Sequence, residues 1–310
     1  MISDPSYPLV SIISVNYNHS DVTCEMLQSL SQITYPNIEV IVIDNGSPND
    51  NPKIIKERFP EVTLILNSEN LGFAGANNYG IQLSKGEYIL LLNNDTEVTP
   101  GFLEPLVRKM ASDPMIGAVS PKIKYFYSPD TLQFTGITPI NSVTGRSKGI
   151  GYGKKDNGQF EMDALSAFAH GAVMMISREA IHKIGLMSTA FFLYYEELDW
   201  GFRLCNAGYK IYYVHDSTVY HKESISIGKL SPLKTHYLNR SRWLYMRRNV
   251  FGFNYLVFIL FQIFFSVPKN ALIFLLQGRF DLYKAYHSAI WWHLKNMFNK
   301  NLFGHPYLKE

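Results

Sequence analysis

The sequence has few of the residues that indicate a secreted, metal-clustered or nucleic-acid-binding protein. Cys24 and Cys205 are the only cysteines in 310 residues, which excludes a disulfide framework and a cysteine-based metal cluster. The formal net charge of +3 is too small to indicate a nucleic-acid partner, and no arginine-glycine or zinc-knuckle pattern is present. The segment from Met1 to Pro5 lacks the basic start and apolar core of a secretory signal, so we expect a cytoplasmic protein.

Two glycine-rich phosphate-binding patterns are also missing. Neither G-x-G-x-x-G nor G-x-x-x-x-G-K-[ST] follows a predicted strand, which disfavours a dinucleotide dehydrogenase and a P-loop enzyme. The chain is 46% hydrophobic and 14% aromatic, and it is long enough for one large domain with an appendage.

Short apolar runs alternate with helical patterns in the first third of the chain, at Leu9–Val15, Ile38–Ile43, Val62–Leu66 and Tyr88–Leu92. This alternation predicts an α/β fold with a mostly parallel sheet flanked by helices. The fourth run has no polar alternation, so we expect helices to cover both faces of its strand. Ligands of such sheets bind beyond the carboxyl ends of the strands.

Polar residues follow each of these predicted strands. Asn16 follows the first, Asp44 the second, the segment Asn70–Asn78 the third, and Asn93 and Asp95 the fourth. The oxygens of Asn93 and Asp95 are hard ligands of the kind that Mg²⁺ or Mn²⁺ prefers when it bridges phosphates. Each segment alone is also typical of an ordinary turn or helix cap. Together, at one edge of one sheet, they predict a site for a metal-bound nucleotide diphosphate.

In this order the segments Val10–Asn18, Val42–Ser47, Asn70–Asn78 and Leu92–Asp95 resemble glycosyltransferase family 2, and within it the bacterial rhamnosyltransferase-like enzymes. The resemblance covers about residues 8 to 225. It implies the A-type nucleotide-diphospho-sugar transferase fold. It also implies an inverting enzyme, which transfers a sugar from a nucleotide diphosphate in a single displacement.

The resemblance further implies donor contacts from a set of polar residues and one glycine at this edge: Asn16, Asp44, Asn45, Asn70, Gly75, Asn78, Asn94 and Asp95. Asp95 takes the last position of the family's D-x-D motif and is expected to hold Mg²⁺ or Mn²⁺. Asn93 stands at the first position in place of an aspartate. One carboxylate fewer weakens the negative charge of the metal site.

A second group of functional residues is expected where the aromatic segment from Phe191 gives way to a helix with an acidic first turn. Asp199 and Arg203 are spaced as an i,i+4 ion pair. Glu196, Asp199 and Arg203 share one helical face, whereas Glu197 points about 100° away from it.

By resemblance, the second member of this acidic pair is the catalytic base, which here is Glu197. Glu196 is the alternative base. A glutamate replaces the family's aspartate, which lengthens the side chain by one methylene and keeps the carboxylate. Trp200 and Asp199, on the same helix, are expected to contact the acceptor.

The alternating segment from Tyr212 to His221 predicts a strand that ends on a histidine. By resemblance, His221 completes the metal site with Asp95 and Asn93. An ordinary surface or core histidine is the alternative. The sequence predicts no role for His170 or His215.

A polar, glycine-rich stretch lies between Pro121 and Ala167 and includes Gly145–Lys155. It is too irregular for a core element, and we expect a mobile loop or hairpin over the active site or else a plain surface insertion. Its basic residues would reach either the donor diphosphate or a phosphate of the acceptor.

The last quarter of the chain changes in composition. No acidic residue occurs from Ser224 to Phe280, and Val250–Val267 is a nearly continuous apolar run at the lower length limit for a bilayer span. Gln262, Ser266 and Lys269 fall on one helical face, which predicts a helix lying at the membrane interface with neighbouring arginines on lipid phosphates. A buried or dimer-forming helix and a true span are the alternatives. We divide the chain into a catalytic domain, 1–228, and a C-terminal helical region, 229–310.

Together with the resemblance, this organisation implies a glycosyltransferase attached peripherally to the inner face of the cell membrane. The expected donor is dTDP-rhamnose, and the expected acceptor is a glycan on a polyprenyl diphosphate or a related glycan of the cell surface. A UDP-hexose-dependent transferase of the same fold is one alternative. A catalytically silent membrane-associated scaffold is another, indicated by Asn93 and by the glutamate at the base position. A sugar nucleotidylyltransferase is disfavoured, because its glycine-rich phosphate loop is missing.

Overall fold

The computed structural model of the chain describes residues 7–222, 231–299 and 302. Its strands form one sheet and are, in chain order, β1 (Val10–Asn16), β2 (Ile38–Asp44), β3 (Thr63–Leu66), β4 (Tyr88–Leu92), β5 (Thr96–Val98), β6 (Ile116–Tyr125), β7 (Ser128–Phe134), β8 (Ala164–Leu165), β9 (Val173–Ser177) and β10 (Lys210–His221). The order across the sheet is β3-β2-β1-β4-β9-β6-β10-β5, with β7 beside β6 and β8 beside β10.

Helices cover both faces of the sheet and form a further group at the C-terminus. The helices of the sheet region are α1 (Ser20–Leu30), α2 (Lys53–Arg58), α3 (Gly72–Leu83), α4 (Leu103–Ala111), α5 (Arg178–Ile184) and α6 (Glu196–Asn206). Those of the C-terminal group are α7 (Pro232–Asn249), α8 (Gly252–Phe261), α9 (Val267–Leu276) and α10 (Phe280–Lys295), with a π-helical turn (Gln262–Ser266) between α8 and α9.

The first four strands form a parallel half-sheet, as the alternation of strands and helices predicts. β1 pairs in parallel with β2 and β4, and β2 pairs in parallel with β3. Beyond β4 the sheet becomes mixed, because β9 pairs antiparallel with β4 and β6 antiparallel with β9. The predicted fold class is confirmed, and the parallel arrangement is strict only in the first half.

The hydrophobic core lies in two layers, one on each face of the sheet. Ile12 and Ile13 are neighbours in β1 and point to opposite faces, yet both are fully buried. Ile12 packs with α1 and α4, and Ile13 packs with α3, where Gly80 leaves room for its side chain. Burial on both faces explains why the strands show no polar alternation.

The glycine-rich stretch is a hairpin, in agreement with one of the two interpretations of the sequence. β6 and β7 pair antiparallel, and the chain then forms a second, irregular ladder. In that ladder the amide of Ile150 donates to the carbonyl of Gly136, and the amide of Thr138 donates to the carbonyl of Lys148. The tip of this hairpin, around Gly145, lies against Tyr195, immediately before α6.

The C-terminal helices pack onto the catalytic domain through a separate hydrophobic cluster. Tyr195 and Leu198 contribute from the α6 side, Leu244 from α7 and Phe258 from α8. The boundary expected at residues 228 and 229 lies outside the described residues. The first helix of the C-terminal group begins at Pro232.

α8, the π-helical turn and α9 form one continuous helix from Gly252 to Leu276. By length and composition it is long and apolar enough to cross a membrane, and only 11% of its most apolar window is buried. One face packs on the protein through Phe258 and Gln262, whereas Phe253 and Phe264 on other faces are 77% and 66% exposed. A helix fixed along one side in this way presents an apolar outer surface.

The arginines of α7 do not face outward, contrary to the expectation that they lie on lipid phosphates. Arg242 and Arg248 are buried, and Arg240 donates to the carbonyl of Ala190 in the catalytic domain. These side chains join the C-terminal helices to the rest of the protein. Lys269, on α9, is exposed.

Candidate active site

The polar residues that end β1 and β2 bind mainly to each other. Asn16 is fully buried, and its amide donates to Oδ1 of Asp44 at 2.8 Å and accepts from the hydroxyl of Thr23 at 2.8 Å. Asp44 also accepts hydrogen bonds from the amide and hydroxyl of Ser47. Asn16 therefore orients Asp44 and has no free polar atom for a donor, so the expected direct contact is replaced by a positioning role.

Asn45 and Asn70 hold the turn that leads into α3. The amide nitrogen of Asn45 donates to Oδ1 of Asn70 at 2.9 Å, and its oxygen accepts from the amide of Leu71 at 3.0 Å. The amide of Gly72 donates to the same oxygen of Asn70. Within this network both asparagines use their side chains to shape the loop beside the candidate donor site.

Asn78, which is expected to line the nucleotide pocket, has a structural partner. Its side-chain amide makes two hydrogen bonds with the backbone of Met187, at 2.8 and 3.0 Å. This pair fixes the segment that leads to α6. Gly75, one turn earlier on α3, is partly exposed, and a Cβ atom there would lie 2.8 Å from Cβ of Leu71.

Asp95 and His221 form a close pair at the end of β4 and β10. Nε2 of His221 lies 3.0 Å from Oδ1 of Asp95, and Nδ1 lies 2.8 Å from Oε1 of Gln133. The oxygen of Gln133 can only accept, so Nδ1 carries a hydrogen. With a hydrogen on Nδ1, Nε2 of His221 and the carboxylate of Asp95 face each other and can bind a metal cation together.

Asn93 and Asn94 complete the surroundings of this pair. The backbone amide of Asn93 donates to the carbonyl of Ala172 at 2.8 Å, and its side chain is partly exposed. Asn94 donates to the hydroxyl of Thr23 on α1. One carboxylate oxygen, one imidazole nitrogen and one amide oxygen are suitable ligands for Mn²⁺ or Mg²⁺, and further positions would be left for phosphate oxygens.

His170 belongs to the same neighbourhood, although the sequence predicts no role for it. Its ring centroid lies 6.3 Å from that of His221, and its Nδ1 accepts a hydrogen bond from the amide of Ala172. Burial and then the positive charge of His221 lower the pKa of His170 to about 3, so the ring is neutral at physiological pH. No local pattern marks this residue, since it reaches the site through the antiparallel pairing of β9 with β4.

Glu196 and Glu197 begin α6 in different environments. Glu196 is almost completely buried, and its Oε2 has no hydrogen-bond partner among the described residues. Burial and the charge of Glu197 raise the pKa of Glu196 well above its usual range. Burial raises the pKa of Glu197 to about 7. Both carboxyl groups therefore bind a proton more strongly than an ordinary glutamate does, and Glu197 is poised to take one up near neutral pH.

The side chain of Glu197 lies against Gly171, where an added Cβ atom would be 3.6 Å from the carboxyl carbon. Gly171 follows His170, whose ring lies beside that of His221, and precedes Ala172, whose carbonyl accepts from the amide of Asn93. Glu197 and the metal-ligand candidates thus flank the same three-residue segment.

The backbone before the glutamates is held in an uncommon conformation. Tyr194 and Tyr195 have φ angles of 67° and 69°, in the left-handed region that non-glycine residues seldom occupy. Neighbouring elements fix this turn: the carbonyl of Phe192 accepts from the amide of Phe73, and the hydroxyl of Tyr195 donates to the carbonyl of Gly145. The turn sets the direction in which Glu197 leaves α6.

Asp199 and Trp200 are not placed to contact an acceptor, because both side chains are 0% exposed. The indole of Trp200 donates to the carbonyl of Gly185. Asp199 accepts hydrogen bonds from Arg203, confirming the predicted i,i+4 pair, and from Arg248 and Asn249 of α7. Their position on the inner face of α6 makes them structural residues that fasten this helix.

Comparison with known proteins identifies relatives of the whole sheet region. A model of glycosyl transferase family 2 matches residues 11–185. An N-acetylglucosaminyl-diphospho-decaprenol L-rhamnosyltransferase of Mycobacterium tuberculosis is 25% identical over 243 residues, which are 71% of this chain and 78% of that protein. An O-antigen biosynthesis protein of Myxococcus xanthus is 26% identical over 71% of this chain and 18% of its own length.

Two solved structures are similar in fold. A mannosyltransferase from Pyrobaculum calidifontis, in complex with GDP-Man and Mn²⁺, superposes with a TM-score of 0.55 at 17% identity over 95% of this chain and 88% of that one. GalNAc-T7 with UDP, GalNAc and Mn²⁺ gives a TM-score of 0.58 at 19% identity. That match covers 76% of this chain and 48% of the other. The resemblance noted in the four sequence segments and the predicted A-type fold are both confirmed.

Proposed function

Because the chain belongs to glycosyl transferase family 2 and is a nucleotide-sugar glycosyltransferase, we propose that it is an inverting enzyme with Glu197 as the catalytic base. The observation that carries this proposal is the position of Glu197, at the start of α6 and across Gly171 from the Asp95–His221 pair. A catalytically silent scaffold has no need of a carboxylate with a pKa near neutrality beside such a pair.

In the proposed reaction, the carboxylate of Glu197 removes the proton of an acceptor hydroxyl while that oxygen attacks the anomeric carbon of the donor sugar. The new glycosidic bond forms on the face opposite the departing diphosphate, so the anomeric configuration inverts. General base assistance of this kind contributes about 10²–10⁴-fold to the rate. Glu196 is buried beside the base, and burial and the charge of Glu197 raise its own pKa.

Asp95 and His221, with the amide oxygen of Asn93, are the residues that would hold a divalent cation. The fit rests on the approach of Nε2 of His221 to Oδ1 of Asp95, at 3.0 Å, in a group of oxygen and nitrogen ligands. Bound there, Mn²⁺ or Mg²⁺ would neutralise charge on the leaving diphosphate. The imidazole in this set favours Mn²⁺ over Mg²⁺, which prefers oxygen ligands alone.

We assign the donor nucleotide to the edge formed by Asp44, Asn70, Gly75 and Asn94, whose loop geometry is set by Asn16 and Asn45. The mycobacterial relative is named as an L-rhamnosyltransferase, which supports dTDP-rhamnose as the donor. The same edge accommodates a UDP-hexose, and this is the second candidate donor. The relative's name likewise supports a diphospholipid-linked glycan as the acceptor.

The outer surface of α8 and α9 supports peripheral attachment to the inner face of the cell membrane. The described part of the C-terminal group contains no acidic side chain before Asp281, and Phe253, Phe264 and Leu276 are exposed. Because Phe258 and Gln262 fasten the opposite face to the protein, the helix lies along the domain, as an interfacial helix does. A dimer contact through the same surface is the alternative.

The test is a transfer assay of the purified protein against a panel of nucleotide sugars with Mn²⁺, with Mg²⁺ and with EDTA. The proposal predicts cation-dependent turnover of dTDP-rhamnose, with loss of activity in Glu197→Gln and Asp95→Asn. Turnover of a UDP-hexose would select the second donor. If Glu197→Gln keeps full activity and Glu196→Gln loses it, Glu196 is the catalytic base instead of Glu197.

A further inference from the structure

Buried hydrogen-bond donors without partners gather where the C-terminal helices meet, and the proposed mechanism uses none of them. Among the described residues they are Nε of Arg242 and Nε1 of Trp243 on α7, the amide of Gln262 in the π-helical turn and the hydroxyl of Tyr286 on α10. Arg242 is 3% exposed, and Gln262 and Tyr286 are 1% exposed. Buried donors of this kind are costly, and a buried charge without a counter-ion is more so.

The side chain of Arg242 lies under the glycine-rich hairpin, which its Cγ meets at Gly145. A Cβ atom added to Gly145 would be 3.0 Å from Cγ of Arg242 and 3.1 Å from the ring of Phe258, so α7, α8 and the hairpin meet at this point. Arg146, the next residue of the hairpin, is exposed. Burial lowers the pKa of Arg242, and the positive charge of Arg146 lowers it further.

Within the described chain neither of these arginines forms an ion pair with a carboxylate. Arg242 donates to the neutral side chain of Asn239. Two arginines therefore meet at the hairpin tip, since Gly145, which contacts Arg242, is directly followed by Arg146, and neither has a carboxylate partner within the described chain. This arrangement favours a ligand that carries several negatively charged oxygens.

The positive pair lies on the hairpin side of Glu197. The hydroxyl of Tyr195 donates to the carbonyl of Gly145 at 2.8 Å, and Tyr195 is two residues before the proposed base. Asp95 and His221 are reached from Glu197 in another direction, across Gly171. Glu197 thus lies between the hairpin and the candidate site of the donor diphosphate. An anion bound at the hairpin is therefore on the acceptor side of the base.

We propose that Arg146 and Arg242 bind the diphosphate of a lipid-linked acceptor, an inference that rests on the proposed function. Two guanidinium groups match the oxygens of a diphosphate, and Gln262 and Tyr286 supply further donors. α8 places Phe258 at this site and Phe253 on its outer surface. Since a helix is about 10 Å across, a lipid tail at the outer surface and a diphosphate at the inner one are a short distance apart.

Access to Arg242 requires the hairpin tip to lift, because Gly145 covers its side chain. Gly145, Gly151 and Gly153 have positive φ angles, which glycine adopts without strain. The proposal therefore requires that the hairpin, which covers Arg242 in this structure, moves aside when the acceptor binds.

The test measures binding of geranyl diphosphate to the full chain in detergent with EDTA, by calorimetry. We expect saturable binding by the wild type, and dissociation constants raised about tenfold or more in Arg146→Gln and in Arg242→Gln, since each removes charge-assisted hydrogen bonds. Arg146→Gln alters an exposed residue, so its result stands even if Arg242→Gln folds poorly. Arg108→Gln, which removes an exposed arginine of α4, is the matched control and should bind as the wild type does.

Two further arms distinguish the sources of the phosphate. Asp95→Asn should keep full binding of geranyl diphosphate. If instead Asp95→Asn loses this binding while both arginine variants keep it, the diphosphate binds at the donor site and the proposal is overturned. Vesicles of phosphatidylglycerol should compete weakly. Competition as strong as that of geranyl diphosphate itself would assign the site to lipid headgroups, which also overturns it.

An activity measurement separates this inference from the proposed function. In Arg146→Gln the KM for a sugar linked to geranyl diphosphate should rise, while the KM for the same sugar as a neutral alkyl glycoside stays unchanged. If the wild type transfers sugar but the arginine variants bind geranyl diphosphate normally, the acceptor site is wrong and the function stands. If binding depends on the arginines but no donor is turned over, the proposed function fails and the anion site stands.

Discussion

The imidazole of His221 and the carboxylate of Asp95 approach to 3.0 Å, and the side chain of Gln133 fixes which ring nitrogen faces the carboxylate. The pair thus depends on a residue of β7 that is remote in sequence from both partners. The turn between β4 and β5 and the strands β7 and β10 contribute one side chain each to this candidate metal centre.

We predict that Gln133→Leu lowers the affinity for Mn²⁺ by about 10-fold or more, because the histidine loses the partner that sets its tautomer. Titration of Mn²⁺ followed by electron paramagnetic resonance measures this affinity. Gln159→Leu, at an exposed position of the hairpin, is the control. An unchanged affinity in Gln133→Leu would show that His221 is not a ligand.

The pKa of Glu197, raised to about 7, predicts that activity falls as the pH drops below neutrality. The pH profile of kcat should show one group with a pKa near 7 on its acidic side. In Glu197→Asp that limb should persist at reduced kcat. A profile that stays flat down to pH 5 would contradict the assignment of the base.

The same raised pKa predicts how stability changes with pH. Between the ordinary value near 4.5 and about 7, the folded state binds the proton more strongly than the unfolded state, so the free energy of unfolding decreases as the pH rises through this window. Glu197→Gln should remove part of that decrease and stabilise the protein at pH 8 by about 1–2 kcal/mol. Urea unfolding at pH 5 and pH 8 measures the difference, and equal effects at both would be inconsistent with a raised pKa.

Gly72→Ala should impair both stability and catalysis. Gly72 has a φ of +72°, and an added Cβ atom would lie 2.4 Å from the carbonyl oxygen of Phe192, in the segment that leads to the glutamates. We expect a loss of about 2 kcal/mol in the free energy of unfolding and a lower kcat. Gly101→Ala is the matched control, since no atom lies within 4 Å of its added Cβ.

Membrane attachment through α8 and α9 predicts that replacing Phe253 and Phe264 with serine releases the protein from vesicles. Co-sedimentation with vesicles rich in anionic lipid measures this, and each exposed phenylalanine should contribute a few-fold to the partition coefficient. Tyr127→Ser, at an exposed site of the β6–β7 hairpin, should have no effect. A loss of dimer, with vesicle binding unchanged, would identify the surface as a subunit contact.

Local sequence signals predicted the first half of the fold well. Strands β1 to β4 are continuous apolar runs, and their polar ends do meet at one edge, because parallel strands bring their carboxyl ends together. What the sequence could not predict was which polar atoms the protein itself would use. Asn16, Asn45 and Asn78 lie beside the site, but their side-chain amides donate to Asp44, Asn70 and Met187.

The residues that sequence analysis missed reach the site through long-range pairing. His170 precedes β9, which enters the sheet antiparallel to β4, and Gln133 lies on β7, which pairs with β6. Neither position has a spacing that relates it to Asp95. The arginines of α7 were expected at the membrane for a similar reason, since composition records their charge but not the face of the helix that meets the catalytic domain.

The hydrogen bonds from Arg248 and Asn249 to Asp199 bear on how a soluble form of this enzyme can be made. An enzyme truncated before α7 would keep Asp199 at the centre of α6 but lose two of its three partners, and breaking a buried charge pair costs about 3–5 kcal/mol. That loss is a large part of the stability of a typical domain. Water solubility is therefore better sought by polar substitutions on the outer surface of α8 and α9, with the C-terminal helices left in place.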